Sequence, residues 1–295
     1  MQSSKNKVAF VYEFGDEVWS TPASLMNEFK RRGYEVHRYH LTDGGCDDLP
    51  NNEFDILLTM DWKGIDIPQS IHADIPNTAF KIRENADTPQ NFDKHVWCSH
   101  NYNLLLTPDY QSTLKYQSLG YNTVWFNHFA DSNIHSQYLG YDDYPPVRST
   151  RGRGGSLFMN HLEHIIKGKF INKNGMVGAE YGSFLSNGKI TLQNSRYGEI
   201  TRRLFEGASC DTLVLADRLS KETHIDDIFV ENQEIVYYDG YPDCVAKINY
   251  YLSPEGEKER LRIAHNGFLK VRNYHTQVQR VDLIIEKYNE WKISQ

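Results

Sequence analysis

Short unbroken apolar runs alternate with amphipathic stretches along the first half of the chain. Residues 8–12 (Val-Ala-Phe-Val-Tyr) follow a polar start and show no alternation, the pattern of a strand buried on both faces. Residues 21–32 put Leu25 and Phe29 on one helical face, and Gly33 follows as a helix-ending glycine. Further strands are predicted at 35–40, 56–59, 80–82, 104–107 and 123–126, with a helix before Gly120. Strands alternating with helices predict an α/β fold with a mostly parallel sheet and right-handed crossovers. Ligands of such sheets bind beyond the carboxyl ends of the strands.

Residues 139–156 break this pattern. Pro145, Pro146, Gly152, Gly154 and Gly155 read as an interdomain linker. The second half then predicts a helix at 157–167, a turn, a short helix, a strand at 189–193 and a helix at 197–208. Strands at 213–216 and 235–238 follow, with helices at 241–252, 256–271 and 276–291. In the last helix Val278, Val281, Ile284, Ile285, Tyr288 and Trp291 make one apolar stripe. The expected division is two Rossmann-like domains, 1–138 and 157–275, joined by the linker 139–156 and followed by a bracing helix, 276–295.

Composition sharpens the picture in a few places. A 39% hydrophobic and 24% charged chain of 295 residues is that of a globular protein. The net charge of -7 argues against a protein that wraps naked nucleic acid, which usually shows a basic face. Arg148, Arg151 and Arg153, with Lys167, Lys169 and Lys173, form a local basic cluster that reads as a polyanion contact or as a solvated linker. Cys46, Cys98, Cys210 and Cys244 have no C-x-x-C or metal-ligand spacing and are expected to be reduced thiols. His161 and His164 lack a third ligand nearby, so no metal site is expected. No P-loop and no G-x-G-x-x-G follows a strand, which weakens kinase and dehydrogenase readings. The polar start lacks the apolar core of a signal peptide, and no apolar run approaches the roughly 18 residues of a membrane span. A cytoplasmic location is expected.

Residues 194–217, NSRYGEITRRLFEGASCDTLVLAD, carry the most chemistry. Glu199 with Arg203 and Arg202 with Glu206 are i,i+4 pairs that a solvated helix would explain. Their surroundings point elsewhere. The R-x-F-E unit of Arg203 to Glu206, followed by small residues and a strand ending in Asp217, resembles the donor-binding domain of family-1-like glycosyltransferases of the GT-B fold. Tyr181, Phe184 and the stretch from Lys189 and Ile190 to Asn194 resemble that family's tyrosine and K-I-x-L-N segment. Glu234 to Tyr238 resembles its e-i-v-y-y strand. Ala264, Gly267, Val271, His275, Thr276 and Arg280 resemble its C-terminal signature. The chain departs at Asp211, where the family usually has glycine.

The resemblance implies two Rossmann-like domains of the GT-B class, a final helix crossing back to the first, and an active site in the cleft between them. It implies a nucleoside diphosphate sugar as co-substrate, with no metal and no other cofactor. Glu206 would accept hydrogen bonds from the ribose hydroxyls. Arg203, and Lys189 after it, would hold the diphosphate by charged hydrogen bonds and stabilise the leaving group. Tyr181, Asn194 and Glu199 complete the donor-binding set, with backbone N–H groups near Asn194 facing phosphate.

An inverting transferase also needs a group to take the acceptor's proton. Asp87 follows a predicted strand and precedes Thr88 and Pro89; it is the first candidate for that base, although Asp before Thr-Pro also starts ordinary turns. Asp16, after the first strand, is the second. The expected acceptor is a hydroxyl on a glycan, a protein or a small molecule. Two alternatives stand beside it. The layout from Asp87 to Phe92 resembles phage glycosyltransferases acting on hydroxymethylated DNA, and the chain could instead be a non-catalytic nucleotide-sugar binding protein.

Overall fold

The computed structural model describes residues 6–13, 20–40, 54–60, 79–85, 90–138, 140, 142–150 and 157–295. The chain divides into two units, Met1–Asn127 with Gln277–Gln295, and His128–Thr276. The first unit holds strands β1 (Lys7–Tyr12), β2 (Glu35–His40), β3 (Ile56–Met60), β4 (Phe80–Glu84), β5 (Leu104–Thr107) and β6 (Thr123–Trp125). They pair in the order β2-β1-β3-β4-β5-β6, all parallel. The unbroken apolar run of β1 is explained by its place between β2 and β3, where Val8, Ala9, Phe10 and Val11 are fully buried.

Helix α1 (Thr21–Arg31) starts at Ser20, whose hydroxyl accepts from the Ala23 N–H, and has Pro22 in its first turn. It stops at Gly33, which adopts a left-handed φ of 86°. Short helix α2 (Phe92–His95) and helix α3 (Tyr110–Ser118) lie further along. The last helix, α9 (Gln277–Ser294), belongs to this first unit. Its stripe is buried at Val281, Ile284 and Tyr288. Arg32 donates to the Val278 carbonyl (3.0 Å) and pairs with Asp282. The Tyr288 hydroxyl donates to Asp55 (3.1 Å), and the Trp291 ring lies 5.3 Å from Phe80. The buried Arg280 donates to the Asn127 carbonyl (2.8 Å).

His95 sets an acid limit on this unit. Burial, with Arg83 and Lys94 nearby, lowers its pKa to about 3. A folded-state pKa below the unfolded one means that the unfolded chain takes up a proton first, so stability falls once pH drops below about 6.5. At pH 5 this one group is expected to cost about 2 kcal/mol. Chemical denaturation at pH 7 and pH 5 checks this; His95→Asn should flatten the dependence, and an unchanged slope would remove His95 as its source.

The second unit holds β7 (Val147–Ser149), β8 (Phe170–Asn172), β9 (Ile190–Gln193), β10 (Leu213–Asp217) and β11 (Val236–Tyr238), parallel in the order β11-β10-β9-β7-β8. Its helices are α4 (Leu157–Ile165), α5 (Gly178–Ser186), α6 (Arg202–Ser209), α7 (Gly240–Leu252) and α8 (Pro254–Tyr274). Val147, Leu162, Ile190, Leu192, Leu213, Leu215 and Val236 form its core. The chain leaves β7 towards β8 on one side, while β9 leads towards β10 on the other. The β7/β9 pair is therefore the topological switch point, where doubly wound sheets bind ligands.

Several expectations are corrected here. The predicted linker, 139–156, contains strand β7, and Arg148 on it is buried rather than solvated. Its guanidinium donates to Asp142 (2.8 Å) and to the carbonyls of Pro145 and Phe184, and it lies 5.1 Å from the Phe184 ring. Arg148 is thus consumed internally and is not available to a polyanion. The first unit ends at Asn127 instead of 138 because the next turn packs into the second unit. Ser209 donates to the His135 carbonyl (2.6 Å), Arg272 to that of Ser132 (2.9 Å), and the Tyr138 N–H to Ser186 (3.2 Å). Helix α6 begins at Arg202, not 197.

Asp211, which stands where glycine is usual, adopts a left-handed φ of 59° just beyond α6. Aspartate tolerates that conformation better than most residues, so the turn survives the exchange. His275 is half-buried and packs against Phe205 at 5.4 Å. Cys98, Cys210 and Cys244 are buried free thiols, and Cys46 lies outside the described residues. Among the described residues no helix is long and apolar enough to cross a membrane.

Candidate active site

The carboxyl edge at the switch point gathers a connected set of polar groups. Thr150 follows β7, and its hydroxyl donates to the Tyr181 hydroxyl of α5 (3.0 Å). Tyr181 in turn donates to Oε2 of Glu206 on α6 (2.7 Å). Arg202 Nε lies 3.0 Å from the other carboxylate oxygen, one helical turn away. Arg203 Nε donates to the Thr150 carbonyl, closing the ring of contacts between β7 and α6. His135 approaches from the turn before β7, with Nε2 3.6 Å from Glu206 Oε1. The Asp131 N–H donates to its Nδ1 (3.1 Å), so the neutral ring carries its proton on Nε2.

These groups perturb one another. Burial opposes ionisation of Glu206, yet His135, Arg202, the Tyr181 hydroxyl and Arg203 hold its carboxyl below the usual range. Burial drives the His135 imidazole the other way, towards the neutral form. Burial and the Glu206 charge push the Tyr181 phenol up, so it stays a donor. The result is a buried anion with oriented donors around it, and the carboxylate keeps lone pairs beyond those already used.

The edge continues into the loop before α6. Asp217, at the end of β10, accepts from the Ser195 N–H (2.8 Å) and from its hydroxyl. Burial raises the Asp217 pKa despite those bonds. Thr201 occupies the position before α6 without capping it, and its buried hydroxyl has no partner among the described residues. The same holds for the buried Ser149 hydroxyl at the end of β7. Unsatisfied buried hydroxyls are costly unless something else bonds them, and a helix start favours anions.

Residues 155–286 match the glycosyl transferase-like family. The matched stretch takes in helices α4 to α8 of the second unit and runs on into α9. Its Tyr181, Arg203 and Glu206, the residues that carried the resemblance in sequence, are the ones that converge on the switch-point edge.

Solved structures extend the likeness over both units. Sucrose-phosphate synthase from Thermosynechococcus elongatus superposes with a TM-score of 0.68 at 9% identity, covering 99% of this chain and 100% of that one. HepE from Anabaena, solved with UDP and glucose, gives 0.66 at 10% identity over 97% and 100%. A glycosyltransferase from Rickettsia africae gives 0.64 at 12% identity over 97% and 98%. At such identities the likeness shows the fold, an α/β chain with two Rossmann-like units of the GT-B class. A sequence search of curated proteins found no match.

The other residues expected to bind the donor are more scattered. Lys189 is exposed at the amino end of β9, at the edge opposite Glu206. Glu199 is not on the helix; its carboxylate accepts from the Arg196 and Tyr197 N–H groups and folds the loop. Asn194 stands half-buried just past β9, at the expected edge. Asp16, Asp87, Arg151 and Arg153 lie outside the described residues. Thr150, Thr201, Asp217 and His135 were not foreseen. Only Asp217, at the end of a predicted strand, carried a hint of its place. His135 carried no signal beyond its spacing from Asp131.

Proposed function

We propose that the protein transfers a sugar from a nucleoside diphosphate sugar to an acceptor hydroxyl, with the donor held by the second unit. The observation that carries this reading is the Thr150–Tyr181–Glu206–Arg203 network at the switch-point edge. Glu206 would accept the ribose hydroxyls. The outer guanidinium nitrogens of Arg203, without partners among the described residues, would meet the diphosphate with Thr201 and the start of α6. As transfer proceeds, the bond from the sugar's anomeric carbon to the diphosphate breaks and one to the acceptor oxygen forms. The acceptor's proton passes to a base, for which Asp87 is the first candidate and Asp16 the second. Charge developing on the departing nucleotide is stabilised by Arg203. No metal is assigned a part in this scheme.

HepE, solved with UDP-glucose, makes a uridine donor the first to try. The acceptor is proposed to be a glycan, protein or small molecule. The DNA alternative loses one of its three arginines, because Arg148 is buried. A thermal-shift panel of UDP, GDP, ADP, CDP and dTDP sugars tests the reading. A ligand at 100 times its dissociation constant should add about 2.7 kcal/mol to stability. The selected donor should also be slowly hydrolysed without acceptor. A stabilising donor that stays intact would mean a binding protein, and no stabilisation by any donor would overturn the proposal.

A further inference from the structure

His135 lies outside every motif that drew attention to this site, yet it faces the charge at its centre. Two helices pin it. Ser209 of α6 donates to its carbonyl (2.6 Å), and its ring meets the Tyr181 ring of α5 edge-on at 5.3 Å. Gly182 of α5 lies so close to this turn that a Cβ there would sit 2.0 Å from the Ile134 carbonyl oxygen. The ring is 2% exposed and has no freedom to swing away. Its two nitrogens face different tasks. Nδ1 accepts from the Asp131 N–H and closes the turn (3.1 Å), which leaves the proton on Nε2, directed at Glu206 Oε1. In a buried site of low dielectric such a dipole has a stronger effect on a neighbouring carboxylate than it would in water.

We propose that His135 is a positioning residue for nucleotide binding: its Nε2–H, 3.6 Å from Oε1 of Glu206, acts with Arg202 Nε (3.0 Å from the same oxygen) to orient that oxygen while Tyr181 holds the other, presenting the carboxylate to the ribose diol. This rests on the reading of Glu206 as the ribose acceptor. The turn itself needs only Nδ1, so the two roles can be separated by substitution. Asparagine places an acceptor near the Nδ1 position and nothing at Nε2. Glutamine reaches the Nε2 position with an amide N–H.

The test uses the nucleoside diphosphate selected by the donor panel, UDP first, and its 2′,3′-dideoxy analogue. His135→Asn should raise the dissociation constant about tenfold, the size of one polar contact, with melting close to wild type. His135→Gln should recover most of that loss. Neither change should alter affinity for the dideoxy analogue, which has no diol to hold. A purely structural role predicts the reverse, a normal Asn variant and a disturbed Gln variant, and would overturn the proposal. Should either variant fold poorly, imidazole nitrogen NMR on the wild-type protein decides. The ring should be protonated at Nε2 and should respond to the nucleotide but not to its dideoxy analogue; an Nδ1-protonated ring, or an equal response to both, sinks the idea. If Glu206→Gln leaves nucleotide affinity unchanged, it is the reading of Glu206 that fails instead.

Discussion

Replacing Glu206 by alanine is expected to destabilise the second unit by about 3–5 kcal/mol, because it removes the anion from a buried cluster and takes away the carboxylate that faces Arg202. The side chains of Arg202 and Glu206 are 18% and 9% exposed, too little for water to take the carboxylate's place fully. From sequence alone the same change would be expected to spare the fold, since R-x-F-E reads there as an open helix face. Glu206→Gln separates stability from binding. It keeps the volume and an acceptor for Tyr181 while removing the charge, so melting should fall far less. Nucleotide affinity should still drop by about tenfold or more, as hydrogen bonds to charged groups contribute roughly 1.5–3 kcal/mol. Calorimetric titration beside thermal denaturation of both variants checks the pair. Wild-type affinity in the glutamine variant would remove Glu206 from the donor site.

Asp87→Asn is expected to lower transfer by about 10²–10⁴-fold, the usual contribution of a general base, with nucleotide affinity unchanged. The expectation rests on chain position. β4 ends at Glu84, and pairing persists one residue further, where the Asn85 N–H donates to the Leu106 carbonyl (2.9 Å). Asp87 thus follows the carboxyl end of a central strand. Single-turnover transfer with the selected donor measures the effect. Near-normal turnover would shift attention to Asp16, whose asparagine variant should then show the loss.

Much of the fold was legible because buried strands and helix ends carry strong local signals. β1 and β10 are apolar runs flanked by polar turns, and Gly33 marks a helix stop that only a left-handed residue could provide. β7 was missed for the opposite reason. It is three residues long, has Arg148 at its centre and sits among prolines and glycines. Only tertiary packing, with Asp142 and the Phe184 carbonyl as partners, lets that arginine be buried. Glu206 and Tyr181 stood out through their spacing in a known pattern, and the fold brings the two side chains together. Lys189 fits the same pattern but lies at the amino end of β9, away from Glu206, since a one-dimensional motif does not say at which end of a strand a residue falls. Glu199 and Arg203 are an i,i+4 pair on paper; the late start of α6 leaves Glu199 off the helix and cancels the pairing. His135 is joined to Glu206 by a fold-back of the chain across 71 positions (206 − 135), a separation no local pattern encodes.

The placement of α9 also constrains how this protein is made. The first unit's sheet is complete in sequence by Trp125, but the helix that covers Phe80 and holds Asp55 and Arg32 comes only after the whole second unit. On the ribosome, the earlier-synthesised half therefore waits with part of its apolar surface uncovered until residues 277–294 emerge. At a synthesis rate of about 5–20 residues per second, that wait lasts on the order of ten seconds. During it the nascent first half is the species most exposed to chaperones and to misassembly, and slowing translation across the second half would lengthen its vulnerability.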